Sequence, residues 1–383
     1  MINSSFPEVN TKAYKLLLLF VFCLISTLKG QDDQQGLLLA PAKSGGLWGF
    51  INPSGNWVIA PQYGEANNFH DNVAEVVQYT NDDIKNGFID KNNNWVIQLP
   101  EFNFSHFSEG RLAFLENGLY GFMDSVGKKV IPAQFRFCSN FENGKAMVVF
   151  KSGKAGYINR EKKLLISPRW DTAFNFQENF AITGKKTMDG KFLYGVIDKT
   201  GNTLVPYQYS WITNFSEEKA FANQGGVYEN GRINGGTWMI INMKELTILP
   251  LKDTTLIVEI DNYNEAYSNL LKFKNDVAWF PGRVNGEILY GLINPSGKWV
   301  VRPTYKVVNK INEGLTAIFI NGRMGFIDLK GKEIIPCKFE SAGAFHNNLA
   351  WFKEGKKYGF INKNGEVVIP PKFEDVRDFM LVK

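Results

Sequence analysis

One pattern constrains this chain more than any other, because it returns. Gly121-Phe122-Met123-Asp124, a turn closed by Gly127, then Val130-Ile131-Pro132 and Phe135, comes back as Gly325-Phe326-Ile327-Asp328, Gly331, Ile334-Ile335-Pro336 and Phe339. It comes back again from Gly359-Phe360-Ile361-Asn362 to Phe373. Anchored on its first glycine, the pattern stands at Gly49, Gly87, Gly121, Gly156, Gly195, Met239, Gly291, Gly325 and Gly359. At Met239 the glycine is lost, and Ile241-Asn242 and Leu249-Pro250 hold the place. The gaps are 38, 34, 35, 39, 44, 52, 34 and 34 residues, a base period of 34 with insertions. A fixed period in this range marks supersecondary units that bury a core only by stacking on one another.

Each unit reads as strands. Tyr120–Asp124 places apolar residues two apart, the strand period. Asp124-Ser-Val-Gly127 is a type I turn by composition, with an acid or amide first and glycine fourth, repeated at 52–55, 198–201, 294–297, 328–331 and 362–365. The proline that follows cannot donate to a ladder and belongs at a strand end or bulge. Pro61, Pro168 and Pro303 stand one residue later than Pro132 and Pro336, yet Tyr63, Phe135, Trp170, Tyr209, Tyr305, Phe339 and Phe373 all lie 14 residues after their glycine. The aromatic is thus the buried anchor, and the proline slides.

A second anchor, at Phe69, Phe107, Phe141, Phe176, Phe215, Phe273, Ile311 and Phe345, precedes a tight turn whose Gly or Asn favours left-handed φ. Glu218 and Asp276 depart from that preference. A strand with a recurring Ala follows: Ala74, Ala113, Ala146, Ala181, Ala220, Ala278, Ala317 and Ala350. A repeated small residue implies close approach of neighbouring units. The expected architecture is all-β: about nine three-stranded β-meanders of ~34 residues in one tandem array. Propeller blades usually carry four strands, so the short unit favours an open, curved β-solenoid or superhelix, with a closed β-propeller as the alternative. The chain begins in mid-unit, near Gln35–Ala40, and ends at the matching point, Phe379–Lys383. That frame suits either reading.

The pattern resembles that of the WG-repeat proteins, whose unit runs through a Trp-Gly pair, Phe-Ile-Asp/Asn, a Gly turn, Val-Ile-Pro and an aromatic. The pair itself stands here only as Trp48-Gly49; elsewhere it is Tyr120-Gly121, Tyr194-Gly195, Tyr290-Gly291 and Tyr358-Gly359, or a more distant variant. The resemblance spans about residues 36–383. It implies an exported bacterial β-repeat protein, and it carries no catalytic residues and no site.

Residues 16–25 form a ten-residue apolar run after Lys12 and Lys15, followed by Ser26–Gly30. This is the shape of a cleaved signal peptide over residues 1–30, too short to span a bilayer comfortably. The expected domain is then a single one, 31–383, with insert-bearing repeats at about 181–290. The expected location is exported: periplasmic, outer-surface or secreted, in a bacterium, with no stable membrane span after cleavage. Cys138 and Cys337 would remain, at different repeat offsets, and are read as free thiols. The chain carries +5 in all, and loss of the leader's three lysines and one glutamate leaves about +3. No basic stripe argues for nucleic acid, and a monomer is expected.

The units differ mainly in one hairpin, lengthened at 79–85, 183–193, 223–236 and 281–289. Insertions tend to map to one face. Tyr228, Arg232, Arg283 and Glu287 sit in those loops as candidate interaction residues; tolerated drift in exposed hairpins is the bland reading. A further irregularity, 251–276, contains a candidate strand at Leu256–Ile260. Trp57, Trp95 and Trp299 stand beside hairpin turns and are candidate exposed aromatics. His70, His106 and His346 imply no metal site, since convergent further ligands are lacking. The recurring Asp residues cap turns, and no nucleophile elbow, phosphate loop or carboxylate pair stands in its required context. No catalytic, cofactor-binding or metal residue is assigned, no cofactor is expected, and the chain is read as no enzyme. Two functions remain: a scaffold that holds a protein or cell-envelope component, or a module binding carbohydrate or peptidoglycan fragments through exposed aromatics.

Overall fold

A computed structural model of the protein describes residues 36–80, 83–99, 107–229, 232–251, 258–259 and 270–383. The expected leader, His106 and most of the 251–276 irregularity lie outside the described residues. The rest forms nine successive antiparallel sheets, each packed face to face on the next. They are blade 1 (37–63), blade 2 (65–99), blade 3 (112–135), blade 4 (137–170), blade 5 (172–209), blade 6 (211–250), blade 7 (278–305), blade 8 (315–339) and blade 9 (341–373). A small extra sheet joins 227–229, 232–234 and 258–259. Of the candidate strand Leu256–Ile260, Val258–Glu259 is therefore a strand. No helix among the described residues is long and apolar enough to cross a membrane.

The ring closes, so the open solenoid expected above is corrected to its alternative, a nine-bladed propeller arrangement. The N-terminal strand Leu37–Ser44 pairs with Asp375–Val376 and with Met380–Val382 from the other end of the chain. The frame in which the chain starts and stops is what lets both ends complete blade 1. The three-stranded unit is corrected as well. In blades 4, 5, 6 and 9 a two-residue strand, such as Phe137–Cys138 or Ser341–Ala342, precedes the three expected ones and adds a fourth. Two residues leave no period-2 run to detect.

The repeated residues explain the packing. The Phe of the Gly-Phe pair lies between blades, against the second anchor of the next unit. Ring centroids are 4.9 Å apart for Phe50–Phe69, 4.8 Å for Phe122–Phe141, 4.9 Å for Phe326–Phe345 and 4.8 Å for Phe360–Phe379, all tilted or edge-on as aromatic pairs prefer. The last of these is made across the closure. The recurring alanines are buried, as close blade contact requires. The glycine before the Phe has a separate cause. Opposite Trp48–Phe50 the partner strand runs from Tyr63 to Ile59, two residues longer than a regular ladder. That bulge, which holds the sliding proline, lies on Gly49: a Cβ there would stand 2.4 Å from the Ile59 carbonyl oxygen. The aromatic at the far end of the bulge is buried at Tyr63, Phe135, Trp170, Tyr209, Phe339 and Phe373, and half-buried at Tyr305.

The tight turns after the second anchor form a connected ring of their own. In seven of them two successive residues take positive φ, as a type I′ hairpin demands. Such a turn points its N–H groups outward, and a side chain from the preceding unit accepts them. Glu178 takes the N–H groups of Glu217 and Glu218 at 2.8 and 2.7 Å, and Glu217 takes those of Asn275 and Asp276 at 2.7 and 3.0 Å. Glu109 takes Gly144 N–H at 2.8 Å, and Glu313 takes Asn348 N–H at 3.0 Å. At the closure Asn72 accepts from the Lys383 N–H at 2.7 Å. Glu218 and Asp276, which lack the favoured Gly or Asn, thus stand in left-handed turns held from the unit before.

Candidate functional site

Because the blades are antiparallel meanders, the type I′ turns and the Asp/Asn turns lie on one face of the ring. The lengthened hairpins and the crossings between blades lie on the other. The type I′ turns touch from blade to blade, which places the short first strands nearest the axis. These inner strands line the channel.

On the hairpin face, blades 3 to 6 carry an arc of aromatic rings. Tyr120 meets Phe137 edge-on at 5.9 Å. Phe174 meets Tyr194 at 6.2 Å, Phe192 stacks on Tyr194 at 6.3 Å, and Tyr194 meets Trp211 at 5.8 Å. Tyr228, from the extra hairpin of blade 6, lies flat on Trp211 at 5.6 Å and 9°. Phe137, Phe174, Phe192 and Tyr228 are 48, 38, 37 and 42 % exposed. Four of the seven exposed aromatic side chains among the described residues therefore gather here. Scattered exposed apolar residues need no explanation, whereas a contiguous group marks an interaction surface.

Next to the arc a cavity of about 550 Å³ opens between the inner strands of blades 4, 5 and 6. That volume lies within the range of small-ligand sites. Phe137 and Phe174 flank it, and its polar wall is Ser139, Glu142, Asp171, Thr172, Asn175, Gln177 and Asn214. Asn175 Nδ2 donates to Glu142 Oε2 at 3.3 Å and to the Asn140 carbonyl at 3.4 Å, while its buried Oδ1 has no partner. Burial by the surrounding walls raises the Glu142 carboxyl above its usual range, with Glu109 adding to the effect and Asn175 and Lys272 opposing it. Glu142 is exposed, so the walls shift it without sealing it off. Asp171 is held low, first by the hydrogen bond from Lys154 Nζ at 2.6 Å and then by the Lys186 N–H at 2.9 Å. Both of its oxygens are thereby engaged.

The sequence candidates separate. Tyr228 belongs to the arc. Arg232 lies in the strand paired with Val227–Glu229, and its side chain is outside the described residues. Arg283 and Glu287 flank the hairpin of blade 7, both exposed; Glu287 pairs with Lys306 at 3.1 Å. Trp57, Trp95 and Trp299 sit on the outer strands of three different blades and share no groove. Trp57 packs edge-on against Phe373 at 5.6 Å, Trp95 against Tyr63 at 6.3 Å, and Trp299 is tilted over Phe280 at 6.4 Å. Sequence reasoning missed Phe137, Phe174, Phe192, Tyr194 and Trp211. For Phe137, Trp211 and Phe174 the available signal was an aromatic 16 or 18 residues after the repeat glycine, where most other units carry a polar residue; Phe192 stands where most units carry Gly, and Tyr194 is the ordinary aromatic of the Trp-Gly pair.

His346 lies two blades from His70 around the closure. Its Nε2 is 3.2 Å from Asp378, and Asn312 lies at 3.3 Å from its Nδ1. Among the described residues no group of three or more His, Cys, Asp or Glu is arranged to hold a metal ion. Cys138 is buried and Cys337 half-buried, both free, and burial pushes the Cys138 thiol up to about 12.

The family described as WG containing repeat matches residues 48–79, 87–120, 120–154, 156–185, 194–228, 290–323, 324–358 and 358–379, well over half the chain. The chain belongs to this family. The longest stretch without a WG-repeat match, 229–289, is the one that carries most of the extra hairpin and the irregular segment. Among curated proteins none matches the sequence. Solved structures resemble the fold only distantly. The computationally designed Ika8 protein is 12% identical over 87% of this chain and 96% of its own, with a TM-score of 0.43. BamB from Moraxella catarrhalis is 10% identical over 79% and 94%, at 0.36. Dipeptidyl peptidase 4 of Porphyromonas gingivalis is 7% identical over 88% and 59%, at 0.42.

Proposed function

We propose that this WG-repeat protein is an exported, monomeric, non-enzymatic binding module. It takes its ligand, part of a protein or cell-envelope component, at the aromatic arc and cavity of blades 4 to 6. The observation that carries the reading is the concentration of exposed aromatic rings beside a cavity on one sector of a ring that is otherwise regular. Recognition surfaces combine rigid aromatic area with a few convergent polar groups. The absence of a reaction is argued from the wall. Its amides do not titrate, Asp171 is engaged by Lys154 and Lys186, and Glu142, which accepts from Asn175, is the one other carboxyl on the wall. Hydrolysis by paired carboxylates needs two facing one pocket.

The test is hydroxyl-radical footprinting of the full chain in a cell-envelope extract. Protection is expected at Phe137, Phe174, Phe192 and Tyr228, and at these rings much more than at Trp57 or Trp299. Protection confined to other blades, or none, would sink the reading.

A further inference from the structure

We infer that the cavity of blades 4 to 6 binds a neutral, hydroxyl-rich oligosaccharide. This rests on the binding reading above and names the ligand's chemistry. Three carboxamides stand on the wall, beside the Thr172 hydroxyl and the Glu142 carboxylate. Asn175 Oδ1 is buried without a partner, and among the described residues no hydrogen bond is made to the side chains of Gln177 or Asn214. A carboxamide offers one acceptor and two donors from one rigid plane. A sugar hydroxyl likewise donates and accepts, so neighbouring hydroxyls pair with an amide through both of its ends. A buried acceptor left unmade costs free energy, and a ligand hydroxyl would remove that cost once a turn of the Asn175 side chain brings Oδ1 to the cavity surface.

The aromatic component has the matching form. Phe137 and Phe174 flank the cavity with exposed rings, and beyond Phe174 the contacts through Tyr194 and the buried Trp211 lead to the exposed ring of Tyr228. Such faces take the C–H side of a pyranose while the amides take its hydroxyl edge. Charge points the same way. No lysine or arginine lines the cavity, which disfavours a polyanion, and Asp171, engaged by Lys154, leaves little for a cation. A peptide strand is the weaker occupant. It would be held mainly by a main-chain ladder to a strand edge, and the inner strands here, Phe137–Cys138, Thr172–Ala173 and Trp211–Ile212, are two residues long.

Calorimetric titration of the full chain with chitohexaose, cellohexaose, maltohexaose and xylohexaose tests the assignment. At least one is expected to bind with a Kd of roughly 1 mM or tighter. Asn175→Ala, Asn214→Ala and Phe174→Ala should each weaken that binding about tenfold, with an unchanged unfolding midpoint for Asn214→Ala as the folding control. Trp57→Ala, on the outer seam, should leave it unaltered. The inference is overturned if no neutral saccharide binds, or if one binds and the Asn214→Ala and Phe174→Ala chains bind it equally well. Should saccharides fail while footprinting still maps a protein ligand to blades 4 to 6, the carbohydrate assignment falls and the binding site stands.

Discussion

Phe379 and Phe141 occupy the same place in two different units, and comparing their removal tests whether the ring is closed in solution. Phe141 packs on Phe122 at 4.8 Å and is 1 % exposed; Phe379 packs on Phe360 at 4.8 Å and is 0 % exposed. Phe141 lies well inside the chain, whereas Phe379 lies four residues from Lys383. In an open array the last unit frays, and truncating its anchor would leave the remaining blades as stable as before. In a closed ring the last anchor is as enclosed as any other, because strand Leu37–Ser44 pairs with the residues on both sides of it. Burying a Phe is worth about 1.5–3 kcal/mol by transfer. With the cavity left behind, Phe→Ala in a core costs about 3–5 kcal/mol. Both Phe141→Ala and Phe379→Ala are therefore expected to cost about 4 kcal/mol. Urea unfolding followed by tryptophan fluorescence reads the midpoint, and the slope checks that the same surface is exposed in each case. A cost below about 1 kcal/mol for Phe379→Ala, beside the full cost for Phe141→Ala, would refute the closed ring.

Three further outcomes are expected. Gly359→Ala places a Cβ 2.4 Å from the Ile369 carbonyl oxygen, so the bulged strand must move; a loss of about 1–3 kcal/mol should appear in denaturant unfolding. Glu217→Gln keeps the shape but removes the charge that receives the Asn275 and Asp276 N–H groups; the expected loss is about 1 kcal/mol after solvent screening, smaller in high salt, and a salt-independent loss would contradict the charge argument. Burial alone would raise the Glu313 carboxyl, but Lys363 at 3.0 Å and the Asn348 N–H at 3.0 Å outweigh it and hold the group below its ordinary 4.5. Its stabilisation is then complete above pH 4.5 and is lost as pH falls through the lower folded value, so Glu313→Gln should flatten the acid limb of the stability curve, and an unchanged limb would contradict this.

What the sequence displayed was whatever recurs within one unit. The aromatic 14 residues past the glycine, the Asp/Asn turns and the recurring alanine each serve their own blade or its seam, and each repeats often enough to show. In the Asp124 turn, for example, the carboxylate accepts the Val126 and Lys128 N–H groups at 3.1 and 2.9 Å, as its composition implied. What was hidden acts between units. Glu217 reads as one of two adjacent acids in a turn; only the ring brings Asn275, 58 residues on, to its carboxylate. Closure was hidden for the same reason, since the frame that lets Leu37–Ser44 meet Met380–Val382 suits an open array equally well. The site was half legible. Tyr228 could be found because its loop is inserted, whereas Phe137, Phe174 and Trp211 lie in two-residue strands or just beyond them, where no periodicity draws attention.

The shortness of those inner strands links the fold to the proposed site. In blades 4, 5 and 6 the inner strand pairs over two residues and the chain then turns back through a tight hairpin, whereas in blade 2 it runs over Glu65–His70. Cohesion near the axis passes instead to side chains reaching the next blade: Ser108 to the Phe141 carbonyl at 2.6 Å, Ser216 to Phe273 at 2.7 Å and Asn312 to Phe345 at 2.6 Å. Between Glu142 and Asn175 the bridge is looser, at 3.3 Å, and one amide oxygen is left unmatched. The cavity opens at that seam. A ring stitched by short polar side chains can give up one stitch at little cost, since the neighbouring seams hold the blades in place. The sector that gives it up is also the one bordered by exposed aromatic rings.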